Sequence, residues 1–421
     1  EQNLLEETTD KRIKDFTLEH LLNREDVGYK PYDFMANQTR LFKEDYLSML
    51  ETANVNLKKD DEQTCFLYFN NCVLQVTPNK VDTIDYIDLD GFVWKKHVIN
   101  REWQGEVSER VGMFEKFVKL IAGGDENRYN SLRSVAGYLL HSHKTSANNK
   151  AIIFNDETIS DNPNGGSGKG LFCAAIGHMK RVNVLDGKQF SFDKSFPYQT
   201  VGADTQVLVF DDVKKSFAFE QLFSLITEGI TLEKKNKDAI HIPVSRSPKL
   251  VITTNYTIGG VGGSFERRKF EIELSGYFGA HHTPFDEFGK MMFDEWSSDE
   301  WAMFDSFMVK CVQYYLSNGL VAHAGNNLEF RKFIKETASE FAEWANGETL
   351  PCNQRLDKGA MFDHFINEYG DFKKWLTQKK FTGWMETYGK RQGYKVTQGK
   401  SGSLRWILFE GENELIESDP F

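Results

Sequence analysis

The sequence predicts an α/β fold whose core is a parallel β-sheet, and three segments carry this prediction. In each of them an apolar run typical of a buried strand ends directly before polar or glycine residues: the runs are 151–154, 207–210 and 250–254. Strands that are buried on both faces of a parallel sheet have continuous apolar sequences, and ligands bind beyond their carboxyl ends. We therefore expect the three strand ends to meet at one site.

The first run leads into a glycine-rich segment, N-P-N-G-G-S-G-K-G, which spans 162–170 and precedes a helix-compatible run. In such a strand–loop–lysine–helix arrangement, backbone N–H groups and the positive helix end hold phosphates, and the lysine reaches the terminal ones. The expected nucleotide contacts are Asn164, Gly165, Gly166, Ser167, Gly168, Lys169 and Gly170. The segment departs from the usual pattern in two places, and a flexible turn is the alternative interpretation.

The two departures concern the first glycine and the metal ligand of the usual loop. Pro163 stands where that glycine would be, and Gly170 replaces the Ser or Thr whose hydroxyl binds Mg²⁺. Without the hydroxyl, Mg²⁺ would rest on Asp211, water and ATP oxygens, since this ion keeps much of its water shell. Alternatively, the site binds nucleotide and hydrolyses it poorly.

The other two runs are followed by residues that suit ATP hydrolysis. Asp211 and Asp212 would serve the Mg²⁺ shell, with Asp212 also polarising the attacking water, and Asn255 would orient that water. Arg267 or Arg268, supplied by a neighbouring subunit, would neutralise charge on the transferred phosphoryl group. Each motif alone also fits an ordinary surface turn or a salt-bridged pair, but their order along the chain favours an ATP-binding P-loop domain.

Composition indicates a globular protein of several domains. The chain has 421 residues, a net charge of −11 and five widely spaced cysteines, with no long apolar run. The spacing of the cysteines predicts buried thiols in a reducing compartment. The lack of a long apolar run predicts no membrane span. The negative net charge argues against general affinity for nucleic acid. Because the sequence begins with Glu1, we expect a processed product or the C-terminal part of a longer chain.

The pattern along the chain divides it into five parts. We expect an α+β N-terminal region at 1–112, a helical segment at 113–148, the P-loop core at 149–275, a second helical segment at 276–346 and a C-terminal unit at 347–421. Within the first part, spacing predicts a helix over 43–57 and a hairpin over 65–77. An aromatic stripe around Trp296 to Tyr315 is interpreted as helix-packing core.

The C-terminal unit concentrates positive charge. Predicted helices followed by two strands with a basic loop resemble a winged helix, a variant of the helix-turn-helix DNA reader. The expected DNA contacts are Lys379, Lys380, Lys390 and Arg391 on the second helix and Lys400 on the wing. The alternative is that this basic face docks on the acidic remainder of the protein.

Taken together, the glycine-rich loop, Asp-Asp after a strand, Thr-Thr-Asn-Tyr and the trailing Arg-Arg resemble the superfamily 3 helicases. More narrowly they resemble the helicase modules of phage and poxvirus-type primase–helicases, specifically over 150–275 and more weakly over 345–410. The resemblance implies an AAA+ type core that forms a ring, usually a hexamer, hydrolyses ATP with Mg²⁺ and moves on single-stranded or forked DNA.

By residue, the resemblance makes Gly165 to Lys169 the Walker A cradle, Asn255 the sensor, and Arg267 or Arg268 the trans finger. It also implies a hairpin within 226–237 that points into the ring channel, where Lys234, Lys235 and Lys237 grip DNA phosphates. A primase or polymerase module would precede Glu1, and the location would be cytoplasmic, in a bacterial host if the chain is phage-encoded.

Two other functions stay open from the sequence. One is a different P-loop enzyme such as a small-molecule kinase. The sequence shows no lid-like arginine cluster, which argues against this alternative. The other is a DNA-binding scaffold with a degenerate, weakly hydrolysing nucleotide site, which Pro163 and Gly170 favour.

Overall fold

The computed structural model describes residues 3–411 except 25, 27, 52, 54, 158–165, 234, 236–237, 257, 259–262, 324–329, 331–332, 335, 348–349 and 403. Expected site residues Asn164, Gly165, Lys234 and Lys237 therefore lie outside the described residues. In the part that is described, no helix is long and apolar enough to cross a membrane.

The N-terminal region combines helices with small sheets. Its elements are β1 (Leu4–Leu5), α1 (Asp10–Leu22), α2 (Tyr29–Asn37), α3 (Glu44–Leu47), β2 (Cys65–Tyr68), β3 (Val73–Val76), β4 (Val81–Ile84) and β5 (Val93–Trp94). Strands β2, β3 and β4 form an antiparallel meander, and β1 pairs in parallel with β5. The predicted hairpin over 65–77 is confirmed by the β2–β3 pair.

The predicted helix over 43–57 is wrong beyond its first turn, because only Glu44–Leu47 is α-helical. The later part of this segment approaches β5 instead. The Phe92 N–H donates to the Asn56 carbonyl at 2.8 Å, and the Lys58 N–H donates to the Phe92 carbonyl at 2.8 Å. This pairing satisfies the backbone in an extended conformation and overrides the local helical spacing.

The core itself contains one parallel sheet and its covering helices. In chain order the elements are α4 (Met113–Ile121), α5 (Glu126–Leu140), β6 (Ala151–Asp156), α6 (Lys169–Gly177), β7 (Val182–Asp186), β8 (Val207–Asp211), α7 (Phe223–Thr227), β9 (Gly229–Leu232), β10 (Ile240–Pro243), β11 (Lys249–Thr253), α8 (Gly263–Arg268), β12 (Lys269–Leu274), α9 (Pro284–Phe288) and α10 (Ser298–Asn318). The 113–148 segment, which was expected to be helical, contains α4 and α5.

Five parallel strands form the sheet in the order β12-β6-β11-β8-β7, counted over the described residues. The parallel sheet predicted from the three apolar runs is therefore confirmed. Ile152 and Phe154 of β6 pack with α4, α5 and α10, whereas Ala151 and Ile153 face a second core with α7 and β9. Burial on both faces explains why this strand is apolar throughout.

The last part of the chain is a smaller unit with a core of its own. It comprises α11 (Ser339–Gly347), β13 (Arg355–Asp357), α12 (Lys358–Glu368), α13 (Gln378–Arg391), β14 (Lys395–Ser401) and β15 (Leu404–Glu410). The three strands form an antiparallel sheet in the order β13-β15-β14. Sequence reasoning found the two strands of the hairpin and missed the short β13.

A buried ion pair joins the N-terminal region to α10. The Arg101 Nε donates to both carboxylate oxygens of Asp305, at 3.0 and 2.9 Å, and the Arg101 Nη1 donates to the His178 carbonyl at 3.0 Å. The Arg101 guanidinium also lies 4.6 Å from the centre of the Trp301 ring. Only 2% of the Asp305 side chain is exposed, so this pair joins three parts of the chain within the interior.

The loop that precedes α6 packs tightly against α4. Gly166 and Gly168 have φ angles of +87° and +100°, a backbone region that favours glycine. A Cβ at Gly168 would lie 2.7 Å from Cζ of Phe117, whereas a Cβ at Gly170 would have no neighbour within 4 Å. The loop therefore requires glycine at position 168 but not at position 170.

We predict that Asp305→Ala lowers the free energy of unfolding by about 3–5 kcal/mol, because it leaves the Arg101 charge buried without a partner. The midpoint of urea unfolding measures this loss. The double variant Arg101→Met/Asp305→Leu should lose clearly less, since it removes both charges. An equal loss in the single and double variants would contradict the ion-pair explanation.

For the glycine-rich loop, we predict that Gly168→Ala destabilises the protein by about 1–3 kcal/mol, because it combines an unfavourable φ with the Phe117 contact. Gly170→Ala is the matched control. It should leave stability unchanged or raise it by up to about 1 kcal/mol, since alanine favours the helix. Thermal unfolding compares the two variants, and equal effects would show that the left-handed conformation at Gly168 does not constrain the loop.

Candidate functional site

A pocket of about 530 Å³ lies at the carboxyl edge of the parallel sheet. This size is within the usual range for small-molecule sites. The predicted residues that line it are Gly166, Ser167, Gly168, Lys169, Gly170, Asp211, Asp212 and Asn255. The structure thus brings the glycine-rich loop, the acidic pair and the asparagine together, as the parallel strand ends require.

Lys169 lines this pocket. It begins α6, and its Nζ donates to Asp156 Oδ2 and to Asn255 Oδ1, each at 2.5 Å. The Ser167 Oγ donates to the other carboxylate oxygen of Asp156. Two oxygens from neighbouring strands therefore fix the ammonium near the start of α6, where a helix end favours an anion.

The acidic pair is held by Thr253, the last residue of β11. The Thr253 Oγ1 donates to Asp211 Oδ1 at 2.6 Å and accepts from the Asp212 N–H at 2.7 Å. One hydroxyl therefore orients both residues. In the described part of the chain, the second carboxylate oxygen of Asp211 has no hydrogen bond, which makes it available to a cation.

Asp212 sits at a sharp turn after β8. Its φ is +52°, a conformation that aspartate tolerates better than most residues. Its Oδ2 forms an ion pair of 2.5 Å with the Nζ of Lys188, and both side chains are substantially exposed. The hydrogen bond to Asp212 raises the pKa of Lys188. Such an exposed pair is weak, so the Asp212 carboxylate remains accessible.

The residues present fit ATP and Mg²⁺. The glycine-rich loop, the first turn of α6 and the Lys169 ammonium provide an anion cradle. The carboxylate of Asp211 provides an oxygen ligand of the kind that Mg²⁺ prefers. Gly170 contributes no hydroxyl, and the space around its Cα is open, so water has room to complete the metal shell there.

Arg267 and Arg268 differ in their surroundings. Arg267 is exposed on α8, with its Nε donating to the Gly263 carbonyl at 3.0 Å. Arg268 is half-buried, and its guanidinium lies 4.6 Å from the centre of the Phe223 ring. Neither residue lines the pocket of its own chain. Arg267 is therefore the more exposed of the two arginines.

The predicted hairpin between the acidic pair and the third strand is formed by β9 and β10, which pair antiparallel. Its second strand, Ile240–Pro243, lies beyond the predicted 226–237 segment. Of the three expected lysines, Lys235 is described, and it is exposed in a turn between the two strands.

The basic residues of the C-terminal unit are exposed. They are Lys379, Lys380, Lys390, Arg391 and Lys400. Two of them also contact aromatic rings of their own unit. The Lys380 Nζ lies 4.5 Å from the centre of the Trp375 ring. The Arg391 guanidinium lies 4.9 Å from the centre of the Phe330 ring. Trp375 is 52% exposed, so this surface combines charge with an aromatic face.

Sequence reasoning missed three side chains that organise the site. Asp156 is the last residue of β6, just as Asp211 is the last residue of β8. The reasoning that selected Asp211 from its position at a strand end therefore applies equally to Asp156. Thr253 was part of the third motif, although no role was expected for it. Lys188 follows β7 in a loop, and no pattern in the sequence pointed to it. The far wall of the pocket, from Thr283 to Met292, was also missed.

A family model described as a family of unknown function (DUF5906) matches residues 162–268, the stretch from the glycine-rich loop to Arg268. No curated protein matches the chain.

Similar solved structures include the apo A form of the NrS-1 C-terminal region, with 11% identity and a TM-score of 0.39 over 83% of this chain and 97% of that one. They also include JCV helicase with a bound small molecule, with 16% identity and a TM-score of 0.26 over 50% of this chain and 55% of that one. At TM-scores this low, neither similarity assigns a role to any residue of the site.

Proposed function

We propose that this chain is an ATP-driven motor on DNA, a superfamily 3 type helicase or translocase that acts as a ring of identical subunits. The observation that carries the proposal is the convergence of Lys169, Asp211, Asp212 and Asn255 on one pocket at the carboxyl edge of a parallel sheet. A cationic cradle, two carboxylates and an amide are the groups that phosphoanhydride hydrolysis requires.

Each group receives its role from the chemistry of its side chain and its place in the pocket. The Lys169 ammonium and the backbone N–H groups of the loop bind the phosphates. Asp211, whose other carboxylate oxygen is bonded by Thr253, would hold Mg²⁺, which would supply positive charge against the phosphates. Asp212 and Asn255 lie on neighbouring strand ends, where the carboxylate accepts a proton from water and the amide orients that water.

Positions away from the pocket support action on DNA as a ring. Arg267 is exposed and does not line its own pocket, so it is available to the pocket of an adjacent subunit. Lys235, at the tip of the β9–β10 hairpin, and the basic surface of the C-terminal unit offer contacts to DNA phosphates that are independent of sequence. We propose a hexamer, with the C-terminal unit acting as a winged helix.

One observation favours a second candidate function. Gly170 provides no metal-binding hydroxyl, which suits a DNA-binding scaffold that holds ATP without efficient turnover. The two candidates differ in one measurable property, the rate of hydrolysis in the presence of DNA.

We predict that the protein hydrolyses ATP, that single-stranded DNA stimulates this activity, and that Lys169→Ala lowers the rate by about 100-fold or more, because one charge-stabilising donor is lost. Single-turnover hydrolysis with and without DNA measures these effects. Lys116→Ala, at an exposed position on α4, is the control and should retain the full rate.

Tight ATP binding without turnover would support the scaffold instead. Hydrolysis that persists unchanged in Lys169→Ala would show that the site was assigned wrongly.

We further predict that Arg267→Ala binds ATP normally and loses hydrolysis, whereas Arg268→Ala retains hydrolysis and loses some thermal stability with its Phe223 contact. Because Arg267 acts on the adjacent subunit, mixing Arg267→Ala with the inactive Asp212→Asn should restore part of the activity. ATPase rates of the separate and mixed variants provide the measurement. An absence of rescue, together with a monomer in light scattering with ATP and DNA, would contradict the ring.

A further inference from the structure

A second pocket, of about 260 Å³, lies at the opposite edge of the sheet, where the N-terminal region meets the core. Its location follows from the strand starts that line it: Lys249 begins β11, Gln206 directly precedes β8, and Lys180 lies two residues before β7. Residues of β2, β5 and the end of α5 complete its walls. It is therefore separate from the candidate active site at the carboxyl edge.

Three buried lysines line this second pocket. Lys249 is only 2% exposed, Lys144 is 4% exposed and Lys180 is 7% exposed. The Lys249 Nζ donates to the Tyr138 carbonyl at 2.5 Å and lies 3.7 Å from the centre of the Tyr138 ring, and the Lys144 Nζ donates to the Ser247 carbonyl. Within the described residues, the Lys180 ammonium has neither a hydrogen bond nor an ion pair. An ammonium buried in this way is costly unless a partner compensates it.

The negative charge nearby does not balance these lysines. Asp60 lines the pocket and contributes a single carboxylate against the three lysines; this carboxylate accepts from the Phe66 N–H at 2.8 Å and from the Ser142 N–H and Oγ at 2.6 and 2.8 Å. Asp204 forms ion pairs with Lys96 and Arg181, at 3.7 and 3.5 Å. The pocket thus has an excess of positive charge in a chain whose net charge is −11.

The pKa values of the residues that line the pocket are consistent with this shortage of negative charge. Burial lowers the pKa of Lys144 to about 7, and burial followed by the charge of Lys144 lowers the pKa of Lys249. Burial also lowers the pKa of His141, whose Nδ1 is buried and has no hydrogen-bond partner in the described structure. An anion placed among these groups would raise the pKa values of Lys144 and Lys249 again and favour their charged forms.

The outer part of the pocket is apolar. Phe92 and Ile240 line it and are 38% and 58% exposed, which places them at its mouth, while Phe66 and Tyr68 form buried aromatic walls. A ligand that fits this arrangement has an anionic end for the lysines and an apolar or aromatic end for the mouth.

We propose that this second pocket binds a small phosphate-bearing molecule of the mononucleotide class, with its phosphate held by Lys144, Lys180 and Lys249. The phosphate supplies the negative charge that the lysines lack, and its oxygens accept charge-assisted hydrogen bonds from them. The ligand bridges the N-terminal region and the core, because its binding groups come from both. This proposal does not depend on ATP hydrolysis at the other edge of the sheet.

The test uses the full chain with Lys169→Ala as the background, so that the candidate active site does not contribute. Thermal unfolding and calorimetric titration are carried out with AMP and, separately, with inorganic phosphate, and sodium chloride at matched ionic strength is the reference. Both probes should raise the unfolding temperature relative to chloride. A larger effect of AMP supports a nucleotide as the ligand, whereas equal effects of the two probes would overturn the nucleotide assignment in favour of free phosphate.

Adding Lys180→Met should weaken binding of either probe by about tenfold or more, because one charge-assisted hydrogen bond is lost. The same change should leave the unfolding temperature without ligand unchanged or higher, since it removes an uncompensated buried charge. Lys144→Met is the second variant and should also weaken binding. Lys116→Met, at an exposed position on α4, is the matched control and should bind both probes normally. No stabilisation by either probe, or full stabilisation in both pocket variants, would overturn the proposal.

Discussion

The position of β11 between β6 and β8 is the constraint on which the candidate active site depends. Parallel pairing sets Thr253 opposite Phe154 of β6 and Ile252 opposite Phe210 of β8. The ladder continues past the strand ends, because the Thr254 N–H donates to the Phe154 carbonyl and the Val213 N–H donates to the Thr253 carbonyl, both at 3.0 Å. The backbone therefore fixes the relative positions of the polar residues that follow each strand.

Side chains at this edge then hold one another in place through hydrogen bonds. The Lys169 ammonium is held by a carboxylate from one strand and an amide from the next, and the Thr253 hydroxyl connects the middle strand to the acidic pair. The side chains of Lys169 and Asp156 are only 12% and 14% exposed, so their interaction is less screened by water than a surface pair. Groups positioned before the substrate arrives need little reorganisation during reaction.

The sequence predicted the features that depend on local patterns. Continuous apolar runs identified the buried strands, and the residues immediately after them, Asp211 and Asn255, meet in the pocket as expected. Features that depend on tertiary pairing were not predicted. Residues near Asn56 leave the helical spacing because they pair with Phe92, and Lys188 reaches Asp212 only because β7 lies beside β8. The different environments of Arg267 and Arg268 likewise follow from the packing of Phe223, which no short motif records.

The sheet also relates the two pockets to each other. Lys249 begins β11 and lines the cationic pocket, and Thr253 ends the same strand and holds the acidic pair. A single buried strand therefore extends from one site to the other. This arrangement would be difficult to recognise from the sequence, because Lys249 appears there as an ordinary polar residue before an apolar run.

The most direct test of the central claim is calorimetric titration of the intact chain with a non-hydrolysable ATP analogue and Mg²⁺. The account predicts binding at the glycine-rich loop that requires Lys169 and weakens when Asp211→Asn reduces the charge available to the metal. Binding that is unchanged in both Lys169→Ala and Asp211→Asn would contradict it, because the carboxyl edge of the sheet would then not be the nucleotide site.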